Sequence, residues 1–284
     1  MTLAGYQIDT VEAGTVWLDG GAMFGIVPRT LWERRIAPDD RNRIPLATRC
    51  LLLRGHGRTI LVDTGCGDKG DDRFNEIYGI DPEAPTLTDA LAALGVAPEN
   101  VTDVVLTHLH FDHVGGATRR EGKALVLTFP NATHHVQRSH WAWAAESPRE
   151  GASFLAENLD PLAASGRLAL VDGDALGLPN LAVHVVDGHT KGQQLVRVAD
   201  GDRSLLFAGD LVPTAAHVSD LWIMAYDVEP LATLREKREV LGRAAAEGWA
   251  LVFEHDVETA SAGVVATEKG FRAEGASGRL PDRV

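Results

Sequence analysis

An α+β fold, with two sheets packed face to face and helices on the outside, is predicted by three observations. Short apolar runs separated by turn residues recur in both halves of the chain. Several of them run directly into polar loops rich in metal-liganding residue types, and two longer stretches have helical period and end signals. A chain of 284 residues, 45% hydrophobic and 24% charged, is long enough to bury such a core as one large domain or two intimately packed halves. We take residues 1–284 as a single domain, with residues 1–47 forming an arm and loop that pack near the active site.

The first strand candidate is "GTVWLDGG". The following "GAMFGIVPRTLWERRIAPDDRNRIP" mixes apolar residues with Pro, Arg and Asp without a clean period, and reads as a long functional loop. "TRCLLLRGHGRTILVDTG" gives two β-rich runs around "GHG", a hairpin whose second strand ends at Asp63. "TLTDALAALG" predicts a helix with Thr86 or Thr88 as N-cap and Gly95 as its stop, and "VTDVVLT" a short buried strand. In the second half "RLALVDG", "LAVHVVDG", "QQLVRVAD" and "SLLFAGD" read as strands. "EPLATLREKREVLGRAAAEG" reads as a helix with Leu231, Leu234, Val240 and Leu241 near one face, and "WALVFEH" as a buried strand ending in His255.

A formal net charge of −13 argues against a general polyanion binder, so neither nucleic acid nor an anionic membrane surface is an expected partner. Cys50 and Cys66, the two cysteines, form no CxxC pair and suggest neither a disulfide framework nor a thiolate metal site. The amino-terminal segment lacks a basic patch followed by an apolar core, and no run approaches the roughly 20 apolar residues of a membrane helix. The expectation is a cytoplasmic protein.

Within "LTHLHFDHVGG", residues 106–116, lie His108, His110, Asp112 and His113. Imidazole nitrogen and carboxylate oxygen suit zinc and its first-row neighbours, and a catalytic site needs several such ligands converging from separate loops. His189 in "VVDGHTKGQQ", Asp210 in "LFAGDLVP" and His255 in "VFEHD" each follow an apolar run, where a rigid strand can aim a ligand. Alone, each has an ordinary reading as a turn or half-buried residue; together they make a metal site. His56, His134, His135, His140 and His184 have no partner spacing and read as surface or core residues.

These motifs resemble the metallo-β-lactamase superfamily, over nearly the whole chain from "TILVDTG" to "FEHD". The resemblance implies an αβ/βα four-layer sandwich with a dinuclear site at one edge. It implies that His108, His110 and His189 hold one metal, that Asp112, His113 and His255 hold the other, and that Asp210 bridges them. Zinc is the expected occupant, with manganese, iron or cobalt able to use similar ligands. Asp63 matches a carboxylate that orients a ligand histidine from behind. Lys191 stands where the superfamily commonly has proline, which makes that turn less stiff. Two such cations lower the pKa of a shared water, so attack by a bridging hydroxide on an ester, lactone, thioester or phosphoryl centre is expected, with Asp112 as proton carrier.

A finer resemblance is to the branch of quorum-quenching N-acyl-homoserine lactone lactonases and organophosphate hydrolases, carried by "GGAMFGIVPRTLW", "GDLVPTAAHVSDLWIMAYDVEP" and "EGWALVFEHD". It implies a lactonase, with aryl ester or phosphotriester hydrolysis as the alternative. Met23, Phe24, Trp222 and Met224 are expected to form an apolar substrate wall, or else a homodimer contact. Tyr226 and His217 are candidates to contact substrate. A glyoxalase II-like thioesterase should add a basic helical domain after the last ligand, and the residues beyond His255 do not read as one. A non-enzymatic binding module would have lost a ligand, and all seven positions are intact.

Overall fold

A computed structural model describes residues 1–282. Its first sheet begins with β1 (Thr2–Leu3), β2 (Tyr6–Asp19), β3 (Arg43–Gly55), β4 (Arg58–Val62) and β5 (Asp103–Val105). A small separate hairpin, β6 (Thr118–Glu121) and β7 (Ala124–Leu127), intervenes before β8 (Thr133–Gln137) and β9 (Leu168–Val171) complete the sheet in the order β1-β2-β3-β4-β5-β8-β9. The second sheet takes β10 (Leu181–Val186), β11 (Gln193–Asp200), β12 (Arg203–Phe207), β13 (Ala250–Val252), β14 (Ser261–Thr267) and β15 (Gly270–Ser277) in chain order. The helices are α1 (Gly20–Phe24), α2 (Arg29–Trp32), α3 (Asp72–Tyr78), α4 (Leu87–Ala93), α5 (Phe111–Val114), α6 (Arg138–Glu146), α7 (Ala156–Ala164) and α8 (Pro230–Glu247).

Strand period explains the layers. Successive side chains of β3 alternate: Leu51 and Leu53 face the inter-sheet core with Val196, Val198, Leu205 and Phe207, while Leu52 faces outward with Leu87 and Leu91 of α4. On the far side Leu206 and Leu251 meet Val240, Leu241 and Ala244 of α8. A strand covered on both faces must be apolar throughout, which is why "CLLL" shows no alternation. The result is helix, sheet, sheet, helix in four layers. The β3–β4 hairpin turns at His56 and Gly57, both at positive φ (54° and 73°), as a tight two-residue turn requires. Helix α4 starts at Thr86, whose hydroxyl accepts from Asp89 N–H while the Asp89 carboxylate accepts from Thr86 N–H.

Three expectations need correction. The opening strand is not confined to "GTVWLDGG": β2 runs fourteen residues from Tyr6, so residues 6–19 belong to the sheet and the excursion from it covers residues 20–42. A bulge between Glu12 and Thr15 hid the strand by breaking its alternation. That excursion also contains two short helices, α1 and α2. In α8 the buried stripe is Thr233, Lys237, Val240, Leu241 and Ala244, whereas Leu231 is 72% exposed. Val240 and Leu241 lie on the buried stripe as expected, and the stripe continues through Lys237, whose ammonium donates inward to the carbonyls of Ser219 and Trp222 at 3.0 and 2.6 Å. Among the described residues no helix is long and apolar enough to cross a membrane.

Candidate metal centre

Strands β5, β10, β12 and β13 each end at a loop that carries part of one site. After β5 come His108 and His110, then Asp112 and His113 on α5. This loop lies so close to its neighbour that a Cβ on Gly115 would sit 2.0 Å from the carbonyl oxygen of Cys66. Before His189, a Cβ on Gly188 would lie 2.3 Å from the backbone nitrogen of Thr233 on α8. Glu236 of the same helix accepts the backbone N–H groups of Asp187 and Gly188, both at 2.9 Å, and fixes the loop. At Lys191 the backbone carbonyl accepts from His140 Nδ1 at 2.7 Å, a bond open to any residue there, and the ammonium lies 5.1 Å over the Trp143 ring. His140 Nε2 in turn accepts from Leu109 N–H at 2.8 Å, tying the first ligand loop to the second. Arg49, buried in β3, reaches between the sheets to donate to the carbonyls of Phe253 and Asp256 at 2.6 and 2.9 Å, which brackets His255.

All seven sequence-predicted ligand residues converge. Nε2 of His108 and Nε2 of His189 lie 3.0 and 3.2 Å from Nδ1 of His110. Nε2 of His255 lies 3.3 Å from Nε2 of His113, and Asp112 approaches both to 3.8 Å. Asp210 faces the two groups with different oxygens: Oδ2 lies 3.2 Å from His189 Nε2, and Oδ1 lies 2.9 Å from His255 Nε2.

The outer nitrogen of each imidazole has an acceptor, and this decides what the inner nitrogens present. His110 Nε2 donates to Glu150 at 2.9 Å, His189 Nδ1 to Asp227 at 2.9 Å and His255 Nδ1 to the Ala47 carbonyl at 2.7 Å. His108 Nδ1 donates to the Thr107 hydroxyl at 3.0 Å, and that hydroxyl donates onward to Asp63. His113 Nδ1 faces both Asp63 and Glu254, each at 3.1 Å. With the outer positions protonated, five lone pairs and two carboxylates point inward at one another, an arrangement that repels itself without cations and suits two divalent ions.

Electrostatics follow the same pattern. Burial alone would raise the Asp210 carboxyl, but protons taken up by His255, His113 and His189 in place of cations hold it well below the usual carboxylate range. Burial likewise pushes Glu150 upward, and its bond from His110 outweighs that and lowers it to about 2. Glu254, buried and next to Asp63, is pushed up to about 8. Glu150, Asp227 and Glu254 were not singled out in the sequence. Only Glu254, beside a ligand in "FEHD", had a local signal.

The ligands floor a cavity of about 210 Å³ whose wall includes Leu18, Met23, Phe111, Met224, Tyr226 and Arg149. Thus Met23 and Met224 stand on the expected wall, and the Tyr226 side chain reaches it. Phe24 and Trp222 do not line it. Phe24 is 0% exposed, stacked between Trp32 at 5.4 Å and His217 at 4.7 Å, with Trp222 edge-on at 5.5 Å. Their apolarity serves the small core that fastens the 20–42 excursion. His217 is corrected for the same reason: its Nδ1 accepts from Thr214 and its Nε2 donates to the Met23 carbonyl, at 2.7 and 2.8 Å, away from the cavity.

The sequence profile described as Metallo-beta-lactamase superfamily matches residues 43–249. An N-acyl homoserine lactonase of Bacillus cereus is 25% identical over 76% of this chain and 84% of its own length. An acyl-coenzyme A thioesterase of Homo sapiens is 28% identical over 57% of each chain. The crystal structure of a probable metal-dependent hydrolase from Staphylococcus aureus is 27% identical and superposes over 100% of both chains with a TM-score of 0.88.

Proposed function

The chain belongs to the metallo-beta-lactamase superfamily, and on that premise we propose that it is a dinuclear metal-dependent hydrolase of ester bonds whose best-fitting substrates are lactones, N-acyl-homoserine lactones among them. The observation that carries this reading is Asp210, whose two oxygens address two separate histidine groups at the floor of a partly apolar cavity. His108, His110 and His189 would hold one ion and Asp112, His113 and His255 the other, with zinc the expected metal. Two bound divalent cations supply Lewis acidity, lowering the pKa of water and polarising the ester oxygen.

The chain's own residues supply the rest. Asp112, a carboxylate among the ligands that also lines the cavity, would pass a proton to the leaving oxygen. Burial raises the Tyr226 phenol further above its ordinary value, so it stays protonated and can donate to a substrate carbonyl. Met23, Met224, Leu18 and Phe111 offer aliphatic or aromatic surface to an acyl chain. Similarity to a thioesterase favours thioesters as the second reading.

Hydrolysis rates of the metal-loaded protein should be measured across a panel of acyl-homoserine lactones, simple lactones, aryl esters, a phosphotriester and a thioester. The lactones should show the highest kcat/KM. A higher value for the thioester would replace lactone by thioester, and no turnover of any ester would overturn the reading.

A further inference from the structure

Arg149 lies on the wall of the metal-facing cavity, and it is the one lysine or arginine on that wall among the described residues. Among the described residues a single hydrogen bond holds it: Nη2 donates to the Ala225 carbonyl at 2.5 Å, joining the loop after α6 to the loop before α8. Its sequence neighbour Glu150 forms no ion pair with it. Glu150 Oε1 already accepts from His110, and Oε2 accepts from Trp143 at 2.5 Å and from Ser147 at 2.9 Å. Asp112 and Asp210, the other acids on the wall, face the imidazoles. Arg149 forms no ion pair among the described residues, in a chain whose net charge is −13. Of the five N–H donors of a guanidinium, the Ala225 bond uses one.

We infer that Arg149 is a specificity-determining residue, selecting esters or lactones that carry a carboxylate on the part of the substrate away from the scissile bond. The inference rests on the ester-hydrolase reading above. A guanidinium presents a planar fork that matches a carboxylate in two parallel hydrogen bonds, and a charge-assisted bond is roughly twice as strong as one to a neutral carbonyl. Met23, Met224 and Phe111 would cover the apolar segment between the reacting carbonyl and that carboxylate. Such a substrate satisfies both the apolar wall and the one cation on it.

The test compares two p-nitrophenyl esters of equal chain length, the anionic mono-glutarate and the neutral valerate, on the metal-loaded protein and on the variants Arg149→Met and Arg149→Lys. The quantity read is the ratio of the two kcat/KM values, anionic over neutral. Because both substrates meet the same preparation, differences in folded or metal-loaded fraction cancel. The ratio should fall about tenfold in Arg149→Met and stay within about threefold of wild type in Arg149→Lys, which keeps the charge and loses the fork. Raising the salt should lower the wild-type ratio and leave that of Arg149→Met unchanged. A ratio equal in wild type and Arg149→Met overturns the inference and leaves Arg149 as a tie between two loops. If wild type turns over neither ester while lactones of the panel above are hydrolysed, this inference is overturned and the hydrolase reading stands; if the whole panel is inert, both fail.

Discussion

His189 Nδ1 donates to Asp227 Oδ1 at 2.9 Å, and both side chains are almost fully buried. Asp227 therefore fixes the tautomer and the ring plane of a ligand that comes from a different loop. Replacing it, Asp227→Ala, should weaken retention of the ion held by His108, His110 and His189 by about 10- to 100-fold. Metal content after dialysis against graded chelator measures this; unchanged retention would show that Gly188 and Glu236 alone position His189.

Asp210 joins the two ligand groups, so the purified protein should carry close to two ions per chain and lose hydrolase activity on chelation. Asp210→Asn keeps the shape but removes the negative charge, and should reduce both metal content and activity. A full complement of one ion, with activity intact in that variant, would mean that the two groups act as a mononuclear site.

Asp112 is proposed both as ligand and as proton carrier. Asp112→Asn should lower kcat on the order of 10²-fold or more, as loss of a general acid or base does, and should hurt substrates with good leaving groups less. Equal losses for good and poor leaving groups would leave it a ligand alone.

The two apolar pairs of the substrate-wall expectation should separate experimentally. Met23→Ala and Met224→Ala open the cavity wall, and should flatten the dependence of kcat/KM on acyl length, which is up to about 0.8 kcal/mol for each buried methylene, besides costing about 2–5 kcal/mol of stability because both side chains are buried in the same cluster. Phe24→Ala should destabilise the fold by about 3–5 kcal/mol and leave the length dependence in place, because its ring is wholly enclosed away from the cavity. Chemical denaturation and a series of acyl chain lengths distinguish them. A flattened length dependence in a fully stable Phe24→Ala protein would return Phe24 to the substrate wall.

Acid should loosen the fold through buried neutral histidines. Burial holds His140 and His217 at about 3, well below their ordinary 6.5. A depressed folded-state value means that stability is fully present above 6.5 and is lost as the pH falls from there toward 3. Between pH 7.5 and pH 5 each should cost about 2 kcal/mol. Unfolding measured at both pH values should show a loss smaller by about that amount in His217→Gln than in wild type. Equal losses would exonerate His217.

Much of this was legible before the structure. Each ligand sits at the end of an apolar run, and strand period with short turns forces those ends to one edge of the sandwich. What escaped is whatever depends on distance across the chain. Glu150 stands 40 residues from His110 and Asp227 stands 38 from His189, with no period or motif linking them. Phe24 and Trp222 were visible as apolar but not as facing away from the cavity, because a short irregular segment has no face that a sequence can reveal. Lys237 carried no signal of its inward course: its ammonium ends on two loop carbonyls, contacts that helical period does not show.

The Arg49 bracket around His255 has a consequence for how the protein is made. Arg49 bonds to Phe253 across 204 residues of sequence, and the carbonyl that holds His255 belongs to Ala47. A ribosome delivers the amino-terminal half of this centre first, and His108, His110, Asp112 and His113 wait there without Asp210 or His255. An ion captured at that stage meets an open and incomplete set of donors and can leave again. The full donor set exists only once β13 has docked and brought His255 to the others, so the centre is completed late in synthesis, when most of the sandwich has already been made.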